Sequence, residues 1–248
     1  MLRMFAERLT HPPILPSQTA ILIFAQPAVS DAGCKRFGGQ PSGNRRVLDQ
    51  LNQRVRQTAE DTKLPVLHSA ELISHTGTFG EQLTGALQAA FTLGFEHVLV
   101  IGNDCPALSA RNLIRAADQL KSTPVVLGPN RRGGVYLFGL SRDAFDSTSL
   151  TSLPWQTDQL SRSIVQLYSA GPIAMLPQLG DVNNRIDLRH YHSTSQTVAS
   201  FITRLLTLGA NKQIGAFGTR PARPVNTYVG GIDSLRAPPA PCATAIAA

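Results

Sequence analysis

The chain has 248 residues, of which 42% are hydrophobic and only 16% charged. This length allows one large domain, or a domain with appendages, around a substantial core. The balance excludes a highly charged disordered chain and a membrane-embedded one. The net charge of +7 carries less information than its location: Arg204, Lys212, Arg220, Arg223 and Arg236 against Asp233 put +4 of it beyond His192. That segment lacks the aromatic interleaving and the recognition-helix pattern of a nucleic-acid binder, and a phosphate-bearing small ligand explains a moderate positive balance equally well.

No apolar run approaches the roughly 18 residues of a membrane-spanning helix. Residues 1–16 interrupt any apolar region with Glu7 and Arg8 and offer no small-residue cleavage site, so no secretory signal is expected. Cys34, Cys105 and Cys242 are odd in number and far apart. They suggest neither a disulfide framework nor a CxxC zinc site, and a reducing cytoplasm fits best.

The prolines at 12, 13 and 16 close an N-terminal extension, 1–18, and the domain is expected over 19–208. Residues 20–26, AILIFAQ, form a continuous apolar run of the kind a buried parallel strand shows. Val47, Leu48, Leu51, Val55 and Thr58 recur at helical spacing within 44–61, and a short strand, 64–68, follows. A second helix is predicted over 78–93, with Gly94 placed as its stop. HVLVIG, 97–102, is the strongest strand; a helix over 111–120 and strands over 124–127 and 134–140 come next. This alternation predicts a three-layer α/β/α domain on a mainly parallel open sheet, with 97–102 at its centre. Residues 197–208 can form one more helix, and 209–248 read as a Gly/Pro/Ala-rich arm or tail.

In open α/β sheets ligands lie beyond the carboxyl ends of the strands. Loop 27–39 follows the first strand and carries Lys35 and Arg36 among Gly33, Gly38 and Gly39. Cations among exposed amides suit phosphate oxygens, and a merely solvated loop would look the same. Asn103 and Asp104 follow the strongest strand. A carboxylate there is costly unless paired, hydrogen-bonded or bound to a cation such as Mg²⁺ or Mn²⁺. The alternative is a cap on the next helix, supplied by Asp104 or Ser109. The third place is 128–139, GPNRRGGVYLFG, where Gly133 and Gly134 permit close approach to a ligand but on spacing alone read as a turn. Trp155 could stack on a base or sugar, although a buried structural tryptophan is the commoner case.

VLVIGNDCPALSARNL, VVLGPNRRGGVYLFGL, LPWQTDQL and LGDVNNRIDL, in this order, resemble the motifs of the glycosyltransferase-like family called radical-SAM/selenodomain-associated transferase 1. The likeness spans roughly residues 20–188. It implies a GT-A-like nucleotide-diphospho-sugar transferase fold, a nucleotide or nucleotide-sugar ligand, an unidentified acceptor and a divalent cation, Mg or Mn. By position it implies Asp104 as the metal-linked catalytic carboxylate. It places Ala25, Lys35, Arg36, Asn103, Arg132, Gly133, Gly134, Trp155 and Thr157 near the nucleotide or substrate.

The chain departs from the family at several places: the first loop ends Cys34-Lys35-Arg36-Phe37 where Lys-Thr-Arg-Leu is more usual, Val135 replaces the first Tyr of the third motif, and two changes bear on charge. Arg132 stands where an Asp precedes the Gly-Gly pair, and Asn183 replaces the second Asp of the late motif, whose first is Asp181. An arginine about 5 Å from a dication repels it by roughly 7 kcal/mol at an effective dielectric near 20. Arg132 would then weaken a metal site, bind diphosphate directly, or mark a fold that only binds. The expected activity is sugar transfer from a nucleoside diphosphate sugar, with nucleotidyl transfer from an NTP and non-catalytic binding as alternatives. His68, His75 and His97 are bases by residue type alone.

Overall fold

The computed structural model describes residues 18–25, 35–37, 41–74, 76–194 and 198–210. The expected extension (save Gln18), His75, Cys34, Cys242, the glycines of loop 27–39 and nearly all of the C-terminal arm lie outside them. The strands are β1 (Thr19–Ile23), β2 (Val66–His68), β3 (His97–Ile101), β4 (Val125–Pro129), β5 (Val135–Ser141) and β6 (Ile173–Met175). They form one sheet in the order β2-β1-β3-β5-β4-β6. The pairs β1–β2, β1–β3 and β4–β6 are parallel, and β5 runs antiparallel to both β3 and β4. The sheet is thus mainly parallel with β3 inside it, as the alternating pattern predicts. The reversed strand has a local cause: residues 130–134 are too few for the crossover that a parallel return needs, so β4 and β5 close as a hairpin.

The helices are α1 (Pro41–Glu60), α2 (Ser69–Leu72), α3 (Phe79–Thr92), α4 (Ala110–Leu120), α5 (Ser147–Thr151), α6 (Leu160–Leu167), α7 (Arg185–Thr194) and α8 (Ala199–Ala210). Proline opens α1, where its missing N–H costs nothing, and Lys63 at φ 63° turns the chain out of it. Reciprocal side-chain and backbone bonds, Thr78 with Glu81 and Ser109 with Asn112, start α3 and α4. Gly94, at φ 102°, ends the turn after α3 as expected.

Side-chain alternation along the strands builds the layers. Leu22, Phe24, Val98, Val100 and Phe138 face Leu83, Leu87 and Phe91 of α3, with Leu150 of α5 and Ile164 of α6. Ile21, Ile23, Leu99 and Ile101 face Val55 and Ala59 of α1 and Leu113, Ala116 and Leu120 of α4. The first half of α1 buries Val47, Leu48 and Leu51 against Leu188 and Tyr191 of α7 and Ile202 and Leu205 of α8. That third cluster also holds Phe37 and Val182, so it brings the segment after the first loop beside the late motif.

Candidate functional site

The site begins with a short extended segment. Asn44, in the first turn of α1, donates to the Lys35 carbonyl at 2.9 Å and accepts from the Phe37 amide at 2.8 Å. Residues of the late motif flank the same segment: Arg36 N–H donates to the Asn183 carbonyl and Arg185 N–H to the Arg36 carbonyl. Fixed from both sides, the segment buries Lys35 to 3% exposure. Arg36, its extended neighbour, is exposed and joins the site through its backbone.

Lys35 Nζ donates to Asn103 Oδ1 at 3.3 Å and lies 3.7 Å from Asp104 Oδ2. Asn103 Nδ2 in turn donates to Asn52 Oδ1 of α1 at 2.7 Å. Asp104 is 1% exposed, and Gly102 makes room for it, since a Cβ there would lie 3.2 Å from Asp104 Oδ1. Asp104 does not cap α4; Ser109 does. Of the two structural readings of Asp104 and Ser109, the cap therefore belongs to Ser109.

The Val182 amide donates to the Asp104 carbonyl at 2.8 Å, which sets the late motif alongside the end of β3. Asp181 is buried, accepts from Asn183 Nδ2 at 2.9 Å and lies 3.7 Å from an Arg132 guanidinium nitrogen. The other Arg132 nitrogen donates to Asp187. Burial, and then the Asp104 charge, push the Asp181 carboxyl above its ordinary range despite Arg132. Burial works against the Arg132 cation, but Asp181, Asp187 and Asp104 outweigh it and hold the guanidinium pKa above its ordinary value.

Three carboxylates, Asp104, Asp181 and Asp187, meet two cations, Lys35 and Arg132. A resident Mg²⁺ or Mn²⁺ on Asp104 and Asp181 would have to share those carboxylates with a lysine and an arginine already in contact with them. Among the described residues no group of three His, Cys, Asp or Glu side chains is placed to hold a metal ion. Among the described residues, these five charged groups do not fit a resident divalent cation.

A cleft of about 230 Å³ opens at the carboxyl ends of β1 and β2, lined by Ile23, Ala25, Asn52, Arg56, His68 and Ser69. It is smaller than the roughly 300–1,000 Å³ that drug-sized ligands fill, so it has room for only part of such a ligand. Asn52 joins this cleft to the polar chain that ends at Asp104. His97 is at the opposite end of its strand from Asp104, paired with Ser141.

The remaining predicted residues serve the turn before β5. Asn130 Oδ1 accepts from the Arg132 and Gly134 amides at 2.9 and 2.8 Å. Gly133 has φ 87°, and a Cβ on it would lie 2.0 Å from the Asp158 carbonyl oxygen. The Gly-Gly pair is therefore occupied by a turn and by protein backbone. Trp155 is 9% exposed, packs on Phe79 at 5.7 Å and donates to the Leu150 carbonyl at 2.7 Å. Thr157 bonds within its own loop, to the Pro154 carbonyl at 2.7 Å. Both side chains shape the segment against which Gly133 rests, and their described contacts are structural.

Sequence reasoning missed Asn52 and Asp187. Asn52 lies mid-helix with no local motif to mark it. Asp187 had an unread signal in the sequence, because Asn184 and Asp187 have the spacing of reciprocal capping: Asn184 Oδ1 accepts from the Asp187 amide at 3.0 Å and Asp187 Oδ2 from the Asn184 amide at 3.2 Å.

The fold is GT-A-like: a mainly parallel sheet with helices on both faces and the candidate site at its carboxyl edge. A candidate nucleotide-diphospho-sugar transferase from Desulfovibrio desulfuricans G20 has this fold, at a TM-score of 0.59 and 16% identity over 79% of this chain and 99% of that one. Rv0371C of Mycobacterium tuberculosis H37Rv, solved in complex with manganese, gives 0.43 and 16% over 72% and 100%. The 4-diphosphocytidyl-2C-methyl-D-erythritol synthase of Anaerococcus prevotii DSM 20548 gives 0.44 and 12% over 76% and 98%. Residues 44–157 match the family model DUF2064, described as an uncharacterized protein conserved in bacteria. No curated protein matches the chain. Among the described residues no helix is long and apolar enough to cross a membrane.

Proposed function

We propose that the chain binds a nucleoside diphosphate sugar across the carboxyl edge of the sheet and transfers the sugar to an acceptor. The carrying observation is the continuous polar path Asn52–Asn103–Lys35–Asp104, which links the cleft beside Ala25 to a buried ammonium and carboxylate. A nucleoside portion would occupy the cleft, and the diphosphate would lie over Lys35 and Arg132. Charge develops on the departing diphosphate during sugar transfer, and fixed cations stabilise it without reorganising. Asn103 and Asp104 orient Lys35. The four-motif likeness to the radical-SAM/selenodomain-associated transferase 1 family supports the same reading, and a reducing cytoplasm suits the unpaired, buried Cys105.

Arg132, engaged by two carboxylates, favours a second reading in which the domain binds its ligand without turnover. Calorimetry with a panel of nucleoside diphosphate sugars and NTPs, followed by product analysis, tests both. Nucleotide-sugar binding that weakens about tenfold in Asn52→Ala, with release of nucleoside diphosphate, is the expected result; one lost polar contact of about 1.4 kcal/mol corresponds to that factor. Pyrophosphate release from NTP would indicate nucleotidyl transfer. Binding without product would establish the second reading, and no binding would remove both.

A further inference from the structure

We propose that Arg132 is a built-in counter-cation: it occupies the place of a divalent metal among Asp104, Asp181 and Asp187, and the site takes a diphosphate group without one. The inference rests on the nucleotide reading above and specifies how its phosphates are bound.

Both ends of the Arg132 contact are anchored. On one side, Asn130 accepts the Arg132 and Gly134 amides, and the Asp158 backbone closes on Gly133, which fixes the turn that carries the arginine. On the other, Asp187 Oδ2 accepts the Asn183 and Asn184 amides at 2.8 and 3.2 Å, leaving Oδ1 for the guanidinium. A carboxylate held by two helix-start amides is poorly placed to swing toward a metal. Asp181 is likewise held by Asn183 Nδ2, an amide standing where a further carboxylate would add charge.

The electrostatics agree. With Lys35 and Arg132 in place, the five groups carry a net charge of −1, and a dication would invert it. A dication seated on Asp181 would lie about 5 Å from Arg132, and even under the screening of bulk water that repulsion weakens binding by at least about tenfold. Exposure differs across the ion pair: the Arg132 side chain is 42% exposed and that of Asp181 2%. A guanidinium has five N–H donors in a planar fork. Two of its nitrogens face Asp181 and Asp187, and donors on the exposed edge remain for phosphate oxygens. The same arginine thus neutralises the buried carboxylates and presents positive charge outward.

The test uses two probes on the full chain: Mn²⁺ alone, by electron paramagnetic resonance, and inorganic pyrophosphate in EDTA, by calorimetry. The wild type should bind pyrophosphate in EDTA and leave Mn²⁺ free. Arg132→Asp should gain Mn²⁺ binding by at least about tenfold and lose the chelator-resistant pyrophosphate binding. Arg132→Lys, which keeps the charge but not the fork, should still exclude Mn²⁺, and the thermal midpoint of Arg132→Asp separates a lost site from a lost fold. Micromolar Mn²⁺ binding by the wild type, pyrophosphate binding that requires Mn²⁺, or no gain of Mn²⁺ in Arg132→Asp would each overturn the proposal. The two readings fail separately: nucleotide sugars that bind only with Mn²⁺ sink the counter-cation and spare the function. Pyrophosphate binding in EDTA without any nucleotide binding does the reverse.

Discussion

Lys35 and Asp104 form an ion pair at 3.7 Å in which neither side chain exposes more than 3% of its surface. Removing one partner strands a buried charge, which typically costs about 3–5 kcal/mol, whereas replacing both with apolar residues of similar volume is often neutral or stabilising. Asp104→Ala should therefore lose stability in that range by urea denaturation. The double variant Lys35→Met, Asp104→Leu should recover most of it while losing nucleotide binding. Equal losses in single and double variants would mean that the pair does not act as a unit.

Gly133→Ala tests the turn. The substitution adds a Cβ at φ 87° and 2.0 Å from a backbone oxygen, so both strain and collision oppose it. A destabilisation of at least about 2 kcal/mol is expected. Loss of any pyrophosphate binding should accompany it at temperatures where the protein remains folded, because Arg132 rides on the same turn. A thermal midpoint within a degree or two of wild type would show that loop 154–161 yields freely.

Asp181 gives the pH dependence an uncommon sign. Burial and the Asp104 charge raise its folded-state pKa above the unfolded value. Between the two, the native state holds more protons than the unfolded one, so this group's contribution lowers stability as pH rises through that window. A carboxylate with a depressed pKa does the opposite. The difference in unfolding free energy between Asp181→Asn and wild type should shift in favour of the variant as pH rises through the ordinary carboxylate range and above it. A shift in the other direction would mean that Arg132 dominates burial.

Trp155, the single tryptophan, is a core reporter by this geometry rather than a ligand platform. Its emission should be blue-shifted in the native protein and barely change on addition of nucleotide sugar. Trp155→Phe should cost stability through the lost bond to the Leu150 carbonyl, about 1 kcal/mol plus packing, and leave ligand affinity unchanged. Strong quenching by a bound nucleotide would return Trp155 to the site.

The fold was legible because its signals are local and repeated: apolar runs for β1 and β3, and helical spacing with capping residues for α3 and α4. The reversed β5 was not, since its apolar run looks the same in either direction and only the length of 130–134 distinguishes them. Within the site, Asn103, Asp104 and Lys35 were legible from their places after strands. Which of Lys35 and Arg36 turns inward was not, because that depends on the distant Asn44 and on the late motif. Arg132 was conspicuous as a departure, yet its partners Asp181 and Asp187 emerge only when the hairpin and the start of α7 meet.

The reversal of β5 also orders the assembly of the chain during synthesis. β3 is paired with β1 on one side, and its other edge stays open until residues 135–141 have been made. β4, synthesised earlier, borders β5 and not β3 in the finished sheet. A nascent chain that stops between residues 129 and 135 therefore exposes the apolar β3 along an unpaired backbone, the kind of edge that recruits another chain. Completing a single hairpin closes the central edge and sets Arg132 on its turn, ready for Asp181 and Asp187, which are synthesised later.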